Sequence, residues 1–169
     1  MKKILVMDEK NYGSLTKEIR RAAVRGIIFK SGKLLMVKTK YGEVKFPGGG
    51  IERGERDIDT LVRETKEETG YDILTSTVKE FGCVEEKRES LNSARIWHQY
   101  SFYYFASVND NPSSPSYTLK ERRAGYQVVW TTLDEAIRLN KELLDREGYL
   151  AWNQREYKTL NLIKKYLEH

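Results

Sequence analysis

Apolar residues in this chain are gathered into short runs separated by polar segments. The runs at 22–29 and 34–39 are apolar and partly β-branched, and the segment KSGK joins them. Because a glycine-containing turn between two such runs is typical of a β-hairpin, we predict two paired strands there. Three further runs have strand-like composition and complete the set of predicted strands, at 77–87, 95–108 and 126–131.

Three other segments carry the spacing of helices. The first covers residues 57–69, where Asp57 is the expected N-cap and Gly70 the expected stop. The second begins after Thr132, a residue type that favours the N-cap position. The third covers residues 153–169, and its apolar residues recur at helical spacing, at Tyr157, Leu160, Ile163 and Leu167.

The order of these elements predicts the fold class. Strands come first, then a central helix, then more strands and finally terminal helices. Because strands and helices do not alternate regularly, we predict an α/β sandwich on a mixed sheet and not a doubly wound fold. The length of 169 residues suits one domain. Within it, residues 1–20 are expected to form an N-terminal extension and residues 108–118, rich in proline and serine, a loop.

Composition and charge narrow the choice of partners. A net charge of +5 and a pI of about 9.1 favour anionic partners, although a surface with a few extra lysines explains the same excess. The single cysteine, Cys83, excludes internal disulfides and is expected to be a buried, inert thiol. The apolar run at the N-terminus is too short for a signal peptide, and no stretch approaches a membrane span. We therefore expect a cytoplasmic protein without a membrane partner.

Three glutamates of the 57–69 helix share one face. Glu64, Glu67 and Glu68 stand at i, i+3 and i+4, displaced from the apolar stripe of the same helix. Like charges at this spacing repel by a few tenths of a kcal/mol, which Arg63 and Lys66 offset in part and a divalent cation offsets better. Carboxylate oxygens at this density suit Mg²⁺ or Mn²⁺. The alternative is an ordinary solvated acidic face.

A run of three glycines, Gly48 to Gly50, precedes this helix. Glycines let the backbone turn tightly and approach a ligand closely, so a backbone carbonyl there is able to complete a metal shell. Together the run and the helix resemble the box of the Nudix hydrolase superfamily, in which the MutT-like enzymes belong. The seven fixed positions of the box all match, at Gly49, Glu55, Arg63, Glu64, Glu67, Glu68 and Gly70.

The resemblance covers roughly residues 20–140, and two box positions depart from the pattern. Thr65 stands where an aliphatic residue is usual, and Tyr71 stands at the final aliphatic position. Neither departure touches a carboxylate. The resemblance implies an α/β/α sandwich with a mixed β-sheet and a C-terminal helix, in one hydrolase domain over residues 1–169. That helix is expected to cap the domain or to mediate a homodimer.

The resemblance also implies roles for the box residues. Glu64 and Glu68 resemble the principal ligands of a Mg²⁺ or Mn²⁺ cofactor, with Glu67 as a further ligand or a water-mediated contact. The Gly48 carbonyl resembles the backbone ligand. Arg63 resembles the residue that orients the carboxylates, and Glu55 is expected to brace the loop and helix, as Gly49 and Gly70 shape them.

Relatives often take a general base from a distant loop. Glu121, in a polar stretch before the 126–131 strand, is the first candidate for that catalytic role. Glu67 and the group Glu85, Glu86 and Glu89 are the alternatives. Basic residues of the first hairpin are candidates for binding the substrate phosphates, namely Arg25, Lys38 and Lys40. Each of them is equally well an ordinary exposed charge.

The implied reaction is attack of metal-activated water on a P–O–P linkage of a small nucleotide-like substrate. Substrate markers outside the box are absent; the ADP-sugar group, for example, has a proline where this chain reads Val84-Glu85-Glu86-Lys87-Arg88. A nucleoside triphosphate, with an oxidised one as an option, is the default expectation. Two alternatives stay open: a non-catalytic nucleotide-sensing module, and removal of the 5′ diphosphate from RNA, although no RNA-binding signature is found.

Overall fold

The computed structural model describes residues 1–146 and 151–168. Seven strands and four α-helices lie within this part of the chain. They are β1 (Lys3–Asp8), β2 (Glu18–Lys30), β3 (Lys33–Lys38), β4 (Val44–Lys45), α1 (Asp57–Thr69), β5 (Lys79–Glu89), β6 (Ile96–Ala106), α2 (Leu119–Ala124), β7 (Gln127–Thr131), α3 (Leu133–Leu144) and α4 (Ala151–Leu167).

The strands form one mixed sheet, as the sequence predicts. Its order is β1-β5-β6-β2-β3-β4, and β7 pairs with β3 beside that path. The pairs β1/β5 and β2/β6 are parallel, and the remaining neighbours are antiparallel. The predicted hairpin is therefore the β2–β3 pair. The N-terminal segment, expected as an extension, contributes the edge strand β1.

Helices cover both faces of the sheet, so the α/β/α sandwich is confirmed. On one face, α1 inserts the fully buried Leu61 among residues such as Val24 and Ile28. On the other face, α3 and α4 insert Ala136, Leu160 and Ile163 into a second cluster. None of the helices in the described part of the chain is long and apolar enough to cross a membrane.

The start of α1 corrects one expectation. Asp57 was expected as the N-cap, but the N-cap residue is Arg56, which makes no side-chain capping hydrogen bond. Asp57 is already helical, and its carboxylate accepts a hydrogen bond of 2.8 Å from the Tyr104 hydroxyl. Gly70 ends the helix as predicted, because its left-handed φ of 78° suits glycine.

The polar stretch around Glu121, which we expected to be a loop, is the short helix α2. A capping box explains it: the Thr118 hydroxyl accepts from the Glu121 N–H, and the Glu121 carboxylate accepts from the Thr118 N–H at 2.7 Å. Gly125 ends α2 with a left-handed φ of 70°. The C-terminal helix begins earlier than predicted, at Ala151, and His169 of the predicted range lies outside the described residues.

Candidate functional site

The glycine run lies against the middle of β2. The Val24 N–H donates to the Gly49 carbonyl at 2.9 Å, and the Gly26 N–H donates to the Pro47 carbonyl at 2.8 Å. Farther along, the Ile51 N–H donates to the Ala22 carbonyl at 3.0 Å. These bonds hold the loop between β4 and α1 in one conformation, so its backbone groups are positioned before any ligand arrives.

Glycine is required at two positions of this loop. Gly48 has a φ of 134°, and a Cβ there would lie 2.2 Å from the Val24 carbonyl oxygen. A Cβ on Gly49 would lie 2.2 Å from the carboxyl carbon of Glu64. The backbone of β2 excludes a side chain at Gly48, and a side chain at Gly49 would displace the Glu64 carboxylate. The glycines therefore allow a carboxylate of α1 to come into direct contact with the loop backbone.

Two carboxylates of α1 line a cavity of about 650 Å³ beside this loop, Glu64 and Glu68. Glu68 is buried, and its Oε2 accepts a hydrogen bond of 2.8 Å from the Gly48 N–H. Burial raises the pKa of Glu68 to about 7, although that hydrogen bond acts in the opposite direction. Burial likewise raises the pKa of Glu64. Both carboxylates thus lie where a cation would stabilise their ionised forms.

Glu67 differs from its two neighbours. Its side chain is 45% exposed, and it is not among the described residues that line the cavity. Its Oε2 lies 3.4 Å from Nη1 of Arg63. The acidic face predicted from the sequence is therefore divided: Glu64 and Glu68 turn inward, and Glu67 stays near solvent.

Arg63 and Glu55 form the brace that the sequence suggested. Arg63 donates two hydrogen bonds to the Glu55 carboxylate, at 2.8 and 2.9 Å, and a third to Oε1 of Glu64 at 2.8 Å. The bonds from Arg63, with a smaller contribution from Thr60, lower the pKa of Glu55 to about 2. The loop before α1 and the carboxylate of Glu64 are thus held by one guanidinium.

The three basic candidates of the first hairpin have different positions. Arg25 is buried, and its Nη1 donates a hydrogen bond to the Gly48 carbonyl. The carbonyl expected as a metal ligand therefore has a hydrogen-bond donor in this structure. Lys40 lines the cavity, whereas Lys38 is not part of the described lining. Of the three, Arg25 and Lys40 lie where a phosphate in the cavity would meet them.

Lys45 was not singled out from the sequence, although it stands just before the glycine loop. Its side chain lines the cavity, its Nζ contacts the Tyr126 hydroxyl and it lies 4.6 Å from the centre of the Tyr126 ring. Burial lowers the pKa of Lys45, and the negative charge of Glu68 partly opposes that shift. This half-buried lysine on the cavity wall supplies positive charge near Glu68.

The candidate bases occupy four different environments. Glu121 lines the cavity while its carboxylate caps α2. Glu86 also lines it, but this buried carboxylate is already paired with Arg88 and Arg155. Glu85 instead bonds with Lys3 and His98. Glu89, at the end of β5, is exposed. Of these four residues, Glu121 is therefore the one that lines the cavity and forms no ion pair within the described residues.

The oxygen atoms available in the cavity determine whether a divalent ion fits there. Within residues 1–146 and 151–168, no three acidic, histidine or cysteine side chains converge in a metal-binding group. Two carboxylates, Glu64 and Glu68, and the backbone of the glycine loop remain. This set fits Mg²⁺, which is commonly held by one or two carboxylates and completed by substrate phosphates and water. The raised pKa values of both glutamates agree, because a cation would favour their charged forms.

Comparisons with known proteins bear on the same region. The model of the NUDIX domain family matches residues 19–152. A putative ADP-ribose pyrophosphatase of Bacillus subtilis is 31% identical over 91 residues, which are 53% of this chain and 42% of that protein. The asymmetrical bis(5′-nucleosyl)-tetraphosphatase of Mus musculus is 33% identical over 94 residues, which are 55% of this chain and 58% of that protein. The chain thus spans about half the length of these curated relatives.

A solved structure extends the likeness to the fold. The MutT NUDIX hydrolase of Burkholderia pseudomallei superposes with a TM-score of 0.58 at 16% identity, covering 83% of this chain and 97% of that one. At such low identity the likeness concerns the fold alone.

Proposed function

This chain belongs to the NUDIX domain family, and we propose that it is a hydrolase that uses Mg²⁺ or Mn²⁺ to cleave the diphosphate linkage of a nucleotide derivative. The observation that carries the proposal is the pair of inward-facing carboxylates, Glu64 and Glu68, beside a glycine loop whose backbone one of them contacts directly. A non-catalytic sensor of nucleotides would not need two carboxylates whose ionised forms are disfavoured by burial.

In the proposed mechanism, Glu64 and Glu68 hold the divalent ion. When bound, the ion would neutralise charge on the phosphates and lower the pKa of an attacking water. Arg63 keeps Glu64 in position through the hydrogen bond at 2.8 Å. Because the two holding carboxylates would be neutralised by the ion, they are poor proton acceptors. Glu121, on the cavity wall, is the proposed base that takes the proton from the water.

Basic side chains of the cavity bind and orient the phosphates in this proposal. Arg25 lies beside the Gly48 carbonyl, and Lys45 and Lys40 line the cavity with it. Guanidinium and ammonium groups in a partly enclosed site stabilise charge that develops on a leaving phosphate. Glu67, half-exposed beside Arg63, is proposed to contact the ion through water and not directly.

The substrate is proposed to be a nucleoside triphosphate, or another nucleoside joined to a diphosphate. Two curated relatives are named as an ADP-ribose pyrophosphatase and a dinucleoside tetraphosphatase. The compounds in both names contain a nucleoside joined to a diphosphate. Residues 84–88 of this chain lack the proline that is usual in the ADP-sugar group, which favours a triphosphate over a sugar derivative as the substrate.

The test is a phosphate-release screen of the purified chain. Nucleoside triphosphates, ADP-ribose, dinucleoside polyphosphates and nucleotide sugars are each offered with Mg²⁺, with Mn²⁺ and with EDTA, and products are resolved by ion exchange. Hydrolysis at a diphosphate linkage that needs a divalent ion is the expected result. Binding of these compounds without any turnover would favour the sensor instead, and equal turnover in EDTA would overturn the metal-dependent mechanism.

A further inference from the structure

Four arginines line the side of the cavity that faces the sheet and the C-terminal helix. We call Arg21, Arg25, Arg88 and Arg155 the arginine cluster. Arg21 and Arg25 come from β2, Arg88 from β5 and Arg155 from α4. Strand register aligns Arg21 with Gln99 of β6 and Gln99 with Glu86 of β5. Arg25 and Arg88 stand at even spacing from Arg21 and Glu86 on their strands, so the three arginines share one face of the sheet. None of the four was assigned to a common site by the sequence pattern.

The arginine cluster carries more positive charge than its own ion pairs cancel. Arg88 and Arg155 share Glu86, at 2.8 and 3.0 Å, and Arg155 also bonds Glu156 at 3.0 Å. Arg21 and Arg25 form no ion pair within the described residues. The four guanidiniums are therefore paired with only two carboxylates in the described part of the chain, those of Glu86 and Glu156. Glu64 and Glu68 face the same cavity, but a divalent ion would cancel their charge.

Unused hydrogen-bond donors accompany this charge. The Nε of Arg25 and the Nε of Arg155 are buried without a hydrogen-bond partner, and both side chains are less than one-tenth exposed. An unpaired buried donor on a charged group costs several times more than an ordinary lost hydrogen bond. An anion in this part of the cavity would offset the positive charge that makes these unpaired donors costly.

Arg21 links the cluster to the proposed metal site. A Cβ on Gly50 would lie 3.1 Å from its Nη2, and its Nη1 donates to Gln99 at a distance of 3.4 Å. Partial burial and the positive charges of Arg25 and Arg155 lower its pKa. The guanidinium therefore lies next to the glycine loop with most of its donors free, in a field that already attracts anions.

Trp97 lies beside two arginines of the cluster and is not available to stack on a nucleotide base. The guanidinium of Arg21 lies 5.9 Å from the Trp97 ring centre, and that of Arg88 lies 5.6 Å away. Two cations beside the ring leave little room for a base to stack on it. Both distances are short enough for cation–π attraction, which helps to keep the two guanidiniums beside the ring.

We propose that Arg21, with Arg88 and Arg155, forms an anion subsite for a further phosphate of the substrate, directly beyond the diphosphate linkage that is cleaved. The ligand chemistry is a phosphate group, because guanidiniums bind phosphate oxygens through paired N–H bonds. This inference rests on the proposed function and sharpens it. Substrates whose diphosphate continues into a third phosphate bind more tightly than those in which it continues into a neutral sugar.

The C-terminal helix contributes one arginine of this subsite. The family model ends at residue 152, and Arg155 lies beyond it. Arg155 and Glu156 are buried against Glu86 and the glycine loop, where Glu156 accepts a hydrogen bond of 3.1 Å from the Phe46 N–H. The part of the cavity wall that Arg155 supplies therefore lies outside the matched region.

The experiment compares two ligands that differ by one phosphate. Binding of α,β-methylene ATP and α,β-methylene ADP, neither of which is cleaved at the bridged linkage, is measured by calorimetry in Mg²⁺ buffer. α,β-methylene ADP-ribose is the third ligand, in which a neutral sugar follows the diphosphate. We expect the wild-type chain to bind the triphosphate about tenfold or more tightly than the other two, since one well-made charged contact corresponds to about that factor.

Arg21→Ala is the decisive variant, because Arg21 is the exposed member of the cluster and its loss leaves no buried carboxylate unpaired. In Arg21→Ala, the affinity for the triphosphate should be no more than about twofold above that for the other two ligands. Arg21→Lys should restore part of the difference. Arg20→Ala is the matched control, because the neighbouring Arg20 is 77% exposed and bonds Glu18 outside the cavity. It removes the same charge and should leave the preference unchanged.

Equal affinity of the wild-type chain for all three ligands would overturn the subsite. An equal loss of preference in Arg20→Ala and Arg21→Ala would also overturn it, because general attraction would then explain the preference. Failure of the proposed function is seen separately: a chain that hydrolyses none of the screened compounds, yet keeps the Arg21-dependent preference, has the subsite without the enzyme activity.

Discussion

Arg63 holds the carboxylate of Glu55 with two nearly parallel hydrogen bonds, from Nε to Oε1 at 2.8 Å and from Nη2 to Oε2 at 2.9 Å. The same guanidinium reaches Glu64 with its remaining nitrogen. A planar fork of donors matches a carboxylate in this way, which a lysine cannot do. The geometry of the loop before α1 and the orientation of Glu64 therefore depend on one guanidinium.

Glu55→Gln tests that brace through the pH dependence of stability. The pKa of Glu55 is lowered from 4.5 to about 2. A lowered pKa means that the native state binds fewer protons, so the carboxylate adds stability above pH 4.5 and loses it as the pH falls towards 2. We expect the variant to have a lower free energy of unfolding than the wild type at pH 7, and the difference to shrink between pH 4.5 and 2.

Urea unfolding at a series of pH values measures this difference. Glu52→Gln is the control, because Glu52 forms no ion pair within the described part of the chain. A wild-type-to-variant gap that stays constant from pH 7 to pH 2 would argue against the brace.

Local patterns in the sequence were sufficient for much of this site. The helix 57–69 and its stop at Gly70 follow from periodicity and turn chemistry within a few residues. The division of the acidic face does not follow, because helical spacing puts Glu64, Glu67 and Glu68 on one stripe. Only the approach of the glycine loop separates Glu67 from the other two.

Residues brought in from distant elements escaped prediction. Lys45, Arg21 and Arg155 reach the cavity from β4, β2 and α4. Their positions depend on the pairing of β2 with β6 and on the packing of α4 against β5, and neither is encoded in a short motif. Glu121 was named as a candidate and lines the cavity, but the capping box that makes its segment helical was not predicted.

Glu68→Gln is expected to lose most of the hydrolytic activity and to stay folded. The amide oxygen still accepts the Gly48 N–H, and removing a buried charge does not destabilise the fold. We expect a loss of at least about 100-fold in kcat, since weaker, outer-shell changes at metal sites already cost 10–100-fold. Glu67→Gln, changed on the exposed side, should lose less. Equal losses in the two variants would mean that Glu67 is also a direct ligand.

Divalent ions should stabilise the native state. An ion that binds the folded chain alone raises its stability by about 2.7 kcal/mol at one hundred times its Kd. We therefore expect the melting temperature to rise when Mg²⁺ or Mn²⁺ is added and to return when EDTA is added. Glu68→Gln should show a smaller rise, since one of the two inward carboxylates has lost its charge. An equal rise in wild type and variant would point to ion binding elsewhere on the surface.

Leu61→Ala should act on stability and not on chemistry. Leu61 is fully buried on the side of α1 that faces the sheet, where it packs near Gly26 and Ile28. Truncating such a leucine costs about 2–5 kcal/mol, from lost burial and the cavity left behind. Leu74→Ala, at a side chain 45% exposed, should change the free energy of unfolding by less than about 0.5 kcal/mol. Urea unfolding compares the two, and similar costs would contradict the packing of α1.

The last prediction concerns Glu121, which is proposed to accept a proton while its carboxylate also caps α2. The two roles are separable because glutamine keeps the capping box but cannot act as a base. We expect Glu121→Gln to lower kcat by about 10²–10⁴-fold at saturating metal, with the acidic limb of the pH–rate profile lost and the metal affinity unchanged.

Thr118→Ala is the matched control, since it weakens the same cap and keeps the carboxylate. Similar losses in both variants would mean that Glu121 acts only through α2, and unchanged turnover in Glu121→Gln would return the role of base to Glu67 or Glu86.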